Sequence, residues 1–279
     1  MLYLLLAIVS SCLISIVLKY ASNKIENDVA MFLSNYFICA ILSFLYLDKR
    51  ISITINKDIN FALVLGAITG ALYLINFLLY KRNIDTNGVV MSVTFMKLGV
   101  IIPTLIAIFI FKEQPSINQI IGIILVVISI IAINYKKDNF EFKKFGYLLI
   151  LLLIESGIND SMSNIFDKMG NTNYKDIFLL TIFVSALICA IIVCLLKKVR
   201  IHKEEIIYGI LVGIPNYYSA RFLLLALKDV EAIIAFPAYS VGTIVLISIL
   251  GLLLFKEKLS KQKMISILII LVSLVLLNI

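Results

Sequence analysis

FKEQPSINQIIGIILVVISIIAIN at 111–134 lies over FKEKLSKQKMISILIILVSLVLLN at 255–278 at an offset of 144 residues. Eight of the 24 positions are identical. Apolar identities carry little information in so apolar a chain. The informative ones are Lys112/Lys256, Glu113/Glu257, Ser116/Ser260, Ser129/Ser273 and Asn134/Asn278. The same offset, with no gap, sets Tyr3 on Tyr147, Tyr73 on Tyr217 and Asp85 on Asp229. The chain therefore reads as an internal repeat, with one half at 1–135 and the other at 145–279.

Composition places both halves in a bilayer. Of 279 residues, 62% are hydrophobic and 15% charged, with a mean hydropathy of +1.07. A soluble domain carries about 45–50% apolar and about 25% charged residues. This chain has too little polar sequence to coat a globule, which excludes soluble enzymes, secreted disulfide scaffolds and nucleic-acid modules. The net charge of +8 sits in short gaps between apolar runs and reads as a topology signal. Cys12, Cys39, Cys189 and Cys194 fall inside apolar runs as small hydrophobes. His202, the one histidine, lies in a charged loop. No metal-ligand spacing, P-loop, dinucleotide fingerprint or nucleophile–base set is present, so neither cofactor nor metal is expected.

A transmembrane helix needs about 20 mostly apolar residues. Ten such spans run at 2–20, 29–47, 60–80, 87–111, 116–135, 145–166, 174–196, 204–227, 230–255 and 260–278. The first lacks a basic n-region and a small-x-small cleavage site, and is expected to be retained. Five spans per half is an odd number, so the second half runs inverted. The expected fold is an all-α membrane protein of ten transmembrane helices in two inverted five-helix repeats. Many secondary transporters are built so, with solute held between the halves near the midplane. Alternate loops carry sixteen basic residues on one side against seven on the other, with Lys81 and Arg82 counted among the sixteen. The positive-inside rule puts the richer side in the cytoplasm and both termini outside.

The repeated FKE-x-x-S turn before the fifth helix of each half resembles the EamA-type branch of the drug/metabolite transporter superfamily. That family usually carries Gly-Glu-Arg/Lys-Leu there. This chain has Lys256-Glu257-Lys258-Leu259, with lysine in place of glycine. The SNIFDK end of span 6 (163–168) is also similar. The resemblance implies a central cavity lined by spans 1, 3, 4, 6, 8 and 9, alternating access, and solute transport without ATP. It also implies cytoplasmic termini, which opposes the charge count and leaves orientation open.

An ionisable residue inside a span is a candidate functional residue. Four occur: Lys97 in span 4, Glu155 and Asp160 in span 6, and Arg221 in span 8. At about 1.5 Å per residue, Lys97 and Glu155 fall about 15 Å deep, and Asp160 and Arg221 about 22–24 Å deep. Two pairs are expected, Lys97–Glu155 and Asp160–Arg221. They read either as structural ion pairs or as partners a zwitterion competes for, with Glu155 also a candidate carrier of a coupling proton. Asn159 shares a helix face with Glu155, and Ser156, Ser161, Ser163 and Asn164 add polarity to span 6. Tyr73, Asn76, Asn216, Tyr217 and Tyr239 complete the expected substrate site, with Phe95 and Phe236 as further aromatic candidates. Pro103, Pro215 and Pro237 are candidate flex points. Asn35 is expected at a helix–helix contact, and Gly66, Gly70, Gly209 and Gly213 at close helix packings.

The sequence thus predicts a non-enzymatic, multi-pass transporter in the cell membrane for a small polar or zwitterionic metabolite, an amino acid first. Its expected partners are the solute, lipid and a coupling proton, with no nucleic acid, in a monomer or homodimer. A transporter of cationic amines or drugs, a membrane enzyme acting on lipid-borne substrates, and a non-transporting scaffold are the alternatives. What separates them is whether the charged layer faces a wet cavity.

Overall fold

The computed structural model describes residues 2–47, 56–102, 105–106, 115–134, 146–226, 232–256 and 260–277. Among the described residues the chain is all helical. Its helices are α1 (Leu2–Ala21), α2 (Asp28–Leu45), α3 (Lys57–Asn87), α4 (Val89–Leu98), α5 (Ile117–Asn134), α6 (Gly146–Met169), α7 (Lys175–Leu196), α8 (Lys203–Ala226), α9 (Ala232–Phe255) and α10 (Lys261–Leu277). By length and composition, five stretches are able to cross a bilayer: Leu2–Ala21, Asp28–Leu45, Lys57–Asn87, Lys175–Leu196 and Ala238–Phe255. Lys112, Glu113 and Glu257 of the repeated turn, Pro103, Asp229 and the basic 136–144 segment lie outside the described residues, as do the side chains of Ser163, Asn164, Phe236 and Pro237.

Local chemistry sets the helix ends. Asn27 accepts from Val29 N (2.9 Å) and Ala30 N (3.3 Å), capping α2. Asn56 caps α3 through Ile59 N at 2.8 Å. Gly88, at φ 85°, separates α3 from α4 in a conformation that only glycine takes without strain. The serine of the repeated turn has a role of its own. Ser116 Oγ accepts from Gln119 N (3.2 Å), and Gln119 Oε1 accepts from Ser116 N (3.0 Å). This reciprocal box starts α5.

Lys256 stands where the resembled turn has glycine, and its φ is 50°. The left-handed region costs an L-residue about 1–2 kcal/mol. Lys256→Gly is therefore expected to raise the apparent melting temperature of the detergent-purified protein. An unchanged or lower value would show that the lysine side chain compensates.

The outer face of α1 is apolar: Leu2, Leu5, Val9 and Leu13 are exposed, while Ser10, Ser11 and Ser15 are buried. Apolar outside and polar inside is the pattern expected of a chain solvated by lipid. Contacts between the halves follow a symmetric scheme. α3 packs on α7 as α8 packs on α2. α1 packs on α8 as α6 packs on α3. α4 meets α6 as α9 meets α1. The pairs α2–α7, α4–α9 and α5–α10 are their own counterparts. An inverted repeat requires this exchange symmetry. A Cβ on Gly70 would fall on the Ile182 carbonyl of α7, and one on Gly209 on the Met31 carbonyl of α2. The glycine spacings are thus close packings, as expected. They sit one residue away from the gapless offset of 144.

One expectation is corrected here. α3 does not stop near residue 80 but runs 31 residues to Asn87. Lys81 and Arg82 are therefore helical, and Lys81 is only 1% exposed. Lys81 Nζ lies 2.5 Å from Asp85 Oδ2 and 3.7 Å from Asp28 Oδ1. Ser22 Oγ donates to Asp85 Oδ1, and Lys19 Nζ donates to Ile84 O at 3.3 Å. Lysine and aspartate four apart on a helix are neighbours, so the charge serves a helix contact rather than a loop. Beside it, buried Glu205 of α8 accepts from the backbone N–H groups of Glu26 (2.9 Å), Asn27 (3.3 Å) and His202 (2.8 Å). This network ties together the ends of α1, α2, α3 and α8.

Candidate functional site

The candidate site rests on the α4–α6 crossing. A Cβ on Gly99 would lie 2.8 Å from Gly157 N, and one on Gly157 2.5 Å from Gly99 O. The two glycines let the backbone just past the end of α4 touch that of α6. Ser156 Oγ then reaches across to Met96 O at 3.1 Å. Lys97 and Glu155 each lie two residues before their glycine, so this crossing delivers both to the polar layer.

The charges do not pair as the depth estimate suggested. Neither Lys97–Glu155 nor Asp160–Arg221 forms an ion pair. Lys97 Nζ sits 3.9 Å from the centre of the Tyr239 ring and interacts electrostatically with Asp160. Depth counted along the backbone ignored side-chain reach. Glu155 and Asp160 differ by about 7.5 Å along the helix, a gap that the flexible stem of lysine helps to close. Tyr239 hydroxyl meets Ser219 Oγ at 3.0 Å.

Glu155 is 8% exposed. Its Oε1 accepts from Asn159 Nδ2 at 2.6 Å, and Asn76 of α3 faces the same carboxyl. Asp160 differs: it is exposed, although α6 packs on both α3 and α4. It lies within electrostatic range of Lys97 on α4 and Tyr73 on α3. Accessible space therefore borders the polar layer, with Lys97, half-buried, at its edge.

Arg221 belongs to a second group. Its Nη1 donates to Tyr217 hydroxyl at 3.1 Å, and its Cζ lies 4.4 Å from the Tyr46 ring centre. Tyr217 is buried and stacks on Tyr46, centroids 5.8 Å apart. Asn216 is also drawn away from the layer: its Nδ2 donates to Asn35 Oδ1 at 3.2 Å, where α8 crosses α2. Asn35 sits at the helix contact expected of it. Tyr73 holds Tyr36 by its backbone carbonyl, which accepts from Tyr36 hydroxyl at 2.9 Å. The expected residues thus divide. Lys97, Tyr239, Asp160, Glu155, Asn159, Asn76 and Tyr73 are brought together, while Arg221, Tyr217 and Asn216 are not joined to them by any hydrogen bond or ion pair. Gly99, Gly157 and Tyr46 were missed by the sequence reading. The glycines were legible only as small residues two positions after an ionisable one. A separate pocket of about 480 Å³ lies at the loop end, lined by Glu26, Asn27, Lys197, Val199, Arg200 and His202.

Packed helices with apolar outer stripes and ionisable side chains held among them define a multi-pass membrane protein. The model of the EamA-like transporter family matches residues 1–135 and 144–279, and the chain belongs to that family. It is accordingly a membrane transporter and not an enzyme. An uncharacterized protein of Haemophilus influenzae is 28% identical over 278 residues, covering 92% of this chain and 91% of that protein. A solved crystal structure is similar in fold, with a TM-score of 0.64 at 12% identity over 99% of this chain and 94% of the other.

Proposed function

We propose that the protein is a secondary transporter of a small zwitterionic metabolite, an amino acid first, across the cell membrane. The two halves rock about the polar layer in alternating access, and all ten helices span the bilayer. The supporting observation is the unpaired juxtaposition of Lys97 with the exposed carboxylate of Asp160. Opposite charges that interact without closing into an ion pair leave room for a molecule carrying both signs. Its carboxylate approaches Lys97, and its ammonium approaches Asp160. Lys97 already covers the Tyr239 ring, which takes that face from a quaternary amine and ranks the zwitterion above a cationic drug. The exposure of Asp160 disfavours a scaffold with a packed polar layer.

A thermal-stability screen of the detergent-purified protein against amino acids and quaternary amines tests this. A ligand that binds only the folded state stabilises it by about 2.7 kcal/mol at a hundred times its Kd. A saturable rise with amino acids, lost in Lys97→Ala and in Asp160→Asn, is the expected result. A rise with quaternary amines alone would move the reading to a cation site. No rise with any compound would remove the amino-acid and the cation readings alike.

A further inference from the structure

The hydrogen bond from Asn159 to Glu155 leaves a specific deficit. Asn159 Nδ2 donates to Glu155 Oε1 at 2.6 Å. Glu155 Oε2 and Asn159 Oδ1 are both buried with no hydrogen-bond partner. The residues are 8% and 6% exposed. Two acceptors without a donor, on one carboxyl–amide pair at bilayer depth, are costly, and a charged carboxylate there adds to the cost.

One proton removes both deficits. A carboxylic acid and a primary amide are complementary: the amide N–H donates to the acid carbonyl, and the acid O–H donates to the amide carbonyl. The first of these bonds is present. A proton on Glu155 Oε2 supplies the donor for Asn159 Oδ1 and cancels the charge. The titratable and charged groups around it are Asp160 on α6, Tyr73 on α3, Tyr36 on α2 and Lys97 on α4, the last directed at Asp160. The nearest groups therefore offer no cation committed to Glu155.

We propose that Glu155 carries the coupling proton of the transport cycle, held in an acid–amide pair with Asn159. This rests on the transport reading above and deepens it. On release the Glu155 O–H bond breaks, and the proton passes to water in the space that Asp160 borders. The carboxylate left behind keeps the Asn159 N–H bond and faces the Asn76 amide, but Glu155 Oε2 and Asn159 Oδ1 stay without a partner, a state that persists only while solute or a helix movement compensates it. Proton loss and solute movement are thereby tied to one residue.

Two measurements test the inference. The first is an infrared difference spectrum of purified wild type against Glu155→Gln at neutral pH. A glutamine amide also donates to Asn159 Oδ1, so this variant keeps the pair and is expected to fold. The expected result is a protonated-carboxyl band that depends on Glu155, shifts in deuterated buffer and moves in Asn159→Leu. Absence of that band overturns the proposal. The second uses proteoliposomes loaded with a pH dye and given an equimolar mixture of labelled amino acids. Wild type is expected to move protons with the label. In Glu155→Gln the number of protons moved per label taken up is expected to fall about tenfold or more, whatever the variant's rate of label uptake, a factor equal to about 1.4 kcal/mol. Proton movement per label in the variant equal to wild type overturns the proposal. So does wild-type exchange without proton movement, which leaves the transport reading standing. No labelled exchange by wild type removes the amino-acid reading and this inference with it.

Discussion

Gly157→Val is expected to lower the apparent melting temperature more than any substitution of a charged residue in the polar layer, and to abolish amino-acid binding. Even a bare Cβ at this position would meet Ile102 Cγ1 and sit 2.5 Å from Gly99 O, a backbone atom just past the end of α4. The Gly99 carbonyl is main chain and cannot swing away, and Ile102 is met close to its root, at Cβ (2.6 Å). Overpacking a tight core typically costs about 1–3 kcal/mol and at times more, and here only separation of α4 from α6 relieves it. Separation carries Lys97 away from Asp160 and breaks the Ser156 bridge to Met96 O. Melting curves of wild type, Gly157→Ala and Gly157→Val, each with and without the proposed amino-acid ligands, check this. A graded loss of stability with binding lost in step is expected. A variant that melts normally yet fails to bind would instead place Gly157 against the solute.

Lys81→Met is expected to be the next most damaging change, at roughly 2–3 kcal/mol. Removing one partner of a buried ion pair typically costs about 3–5 kcal/mol. The side chains of Asp28 and Asp85 are 38% and 34% exposed, so water relieves part of that cost. What remains is two carboxylates facing each other across α2 and α3 with their cation gone. Adding Asp28→Asn and Asp85→Asn to Lys81→Met is expected to restore most of the lost stability, because the repulsion goes with them. A thermodynamic cycle that takes the two aspartate changes as one unit against Lys81→Met, read by thermal unfolding, isolates this coupling. A zero coupling energy would show that Lys81 acts through its packed stem alone.

The repeat, the all-helical architecture and the interior polar layer were legible because they depend on spacing and composition. The turn serine read as a shared residue has a local cause, the cap of α5. Two readings went astray for physical reasons. The α3 boundary was drawn from hydropathy, and hydropathy does not register a lysine buried by aspartates from its own helix and from α2. The Lys81/Asp85 spacing of four was the available signal. The ion pairs were assigned by backbone depth, and Lys97 reaches past its own layer to Tyr239 and toward Asp160. Tyr217, Asn216 and Arg221 look like site residues by polarity; in the fold Asn216 donates to Asn35 and Arg221 to Tyr217, which groups them apart from the Lys97 layer. A polar residue in a span is as well used in gluing helices as in holding solute, and the sequence alone does not separate the two uses.

The exchange of partners between halves has a consequence for how the molecule is made. The face of α2 around Asn35 and Met31 is completed by Gly209 and Gly213 of α8, about 175 residues later in the chain. At roughly 5–20 residues per second of synthesis, that face waits about 10–35 seconds in the bilayer for its cover. Through that interval the first five helices hold small and polar surfaces open to lipid, to chaperones and to other nascent chains. The order of translation thus makes the amino-terminal half a client of the insertion machinery until the carboxy-terminal half emerges. Co-expressed separate halves would escape that wait, each meeting its complement already made.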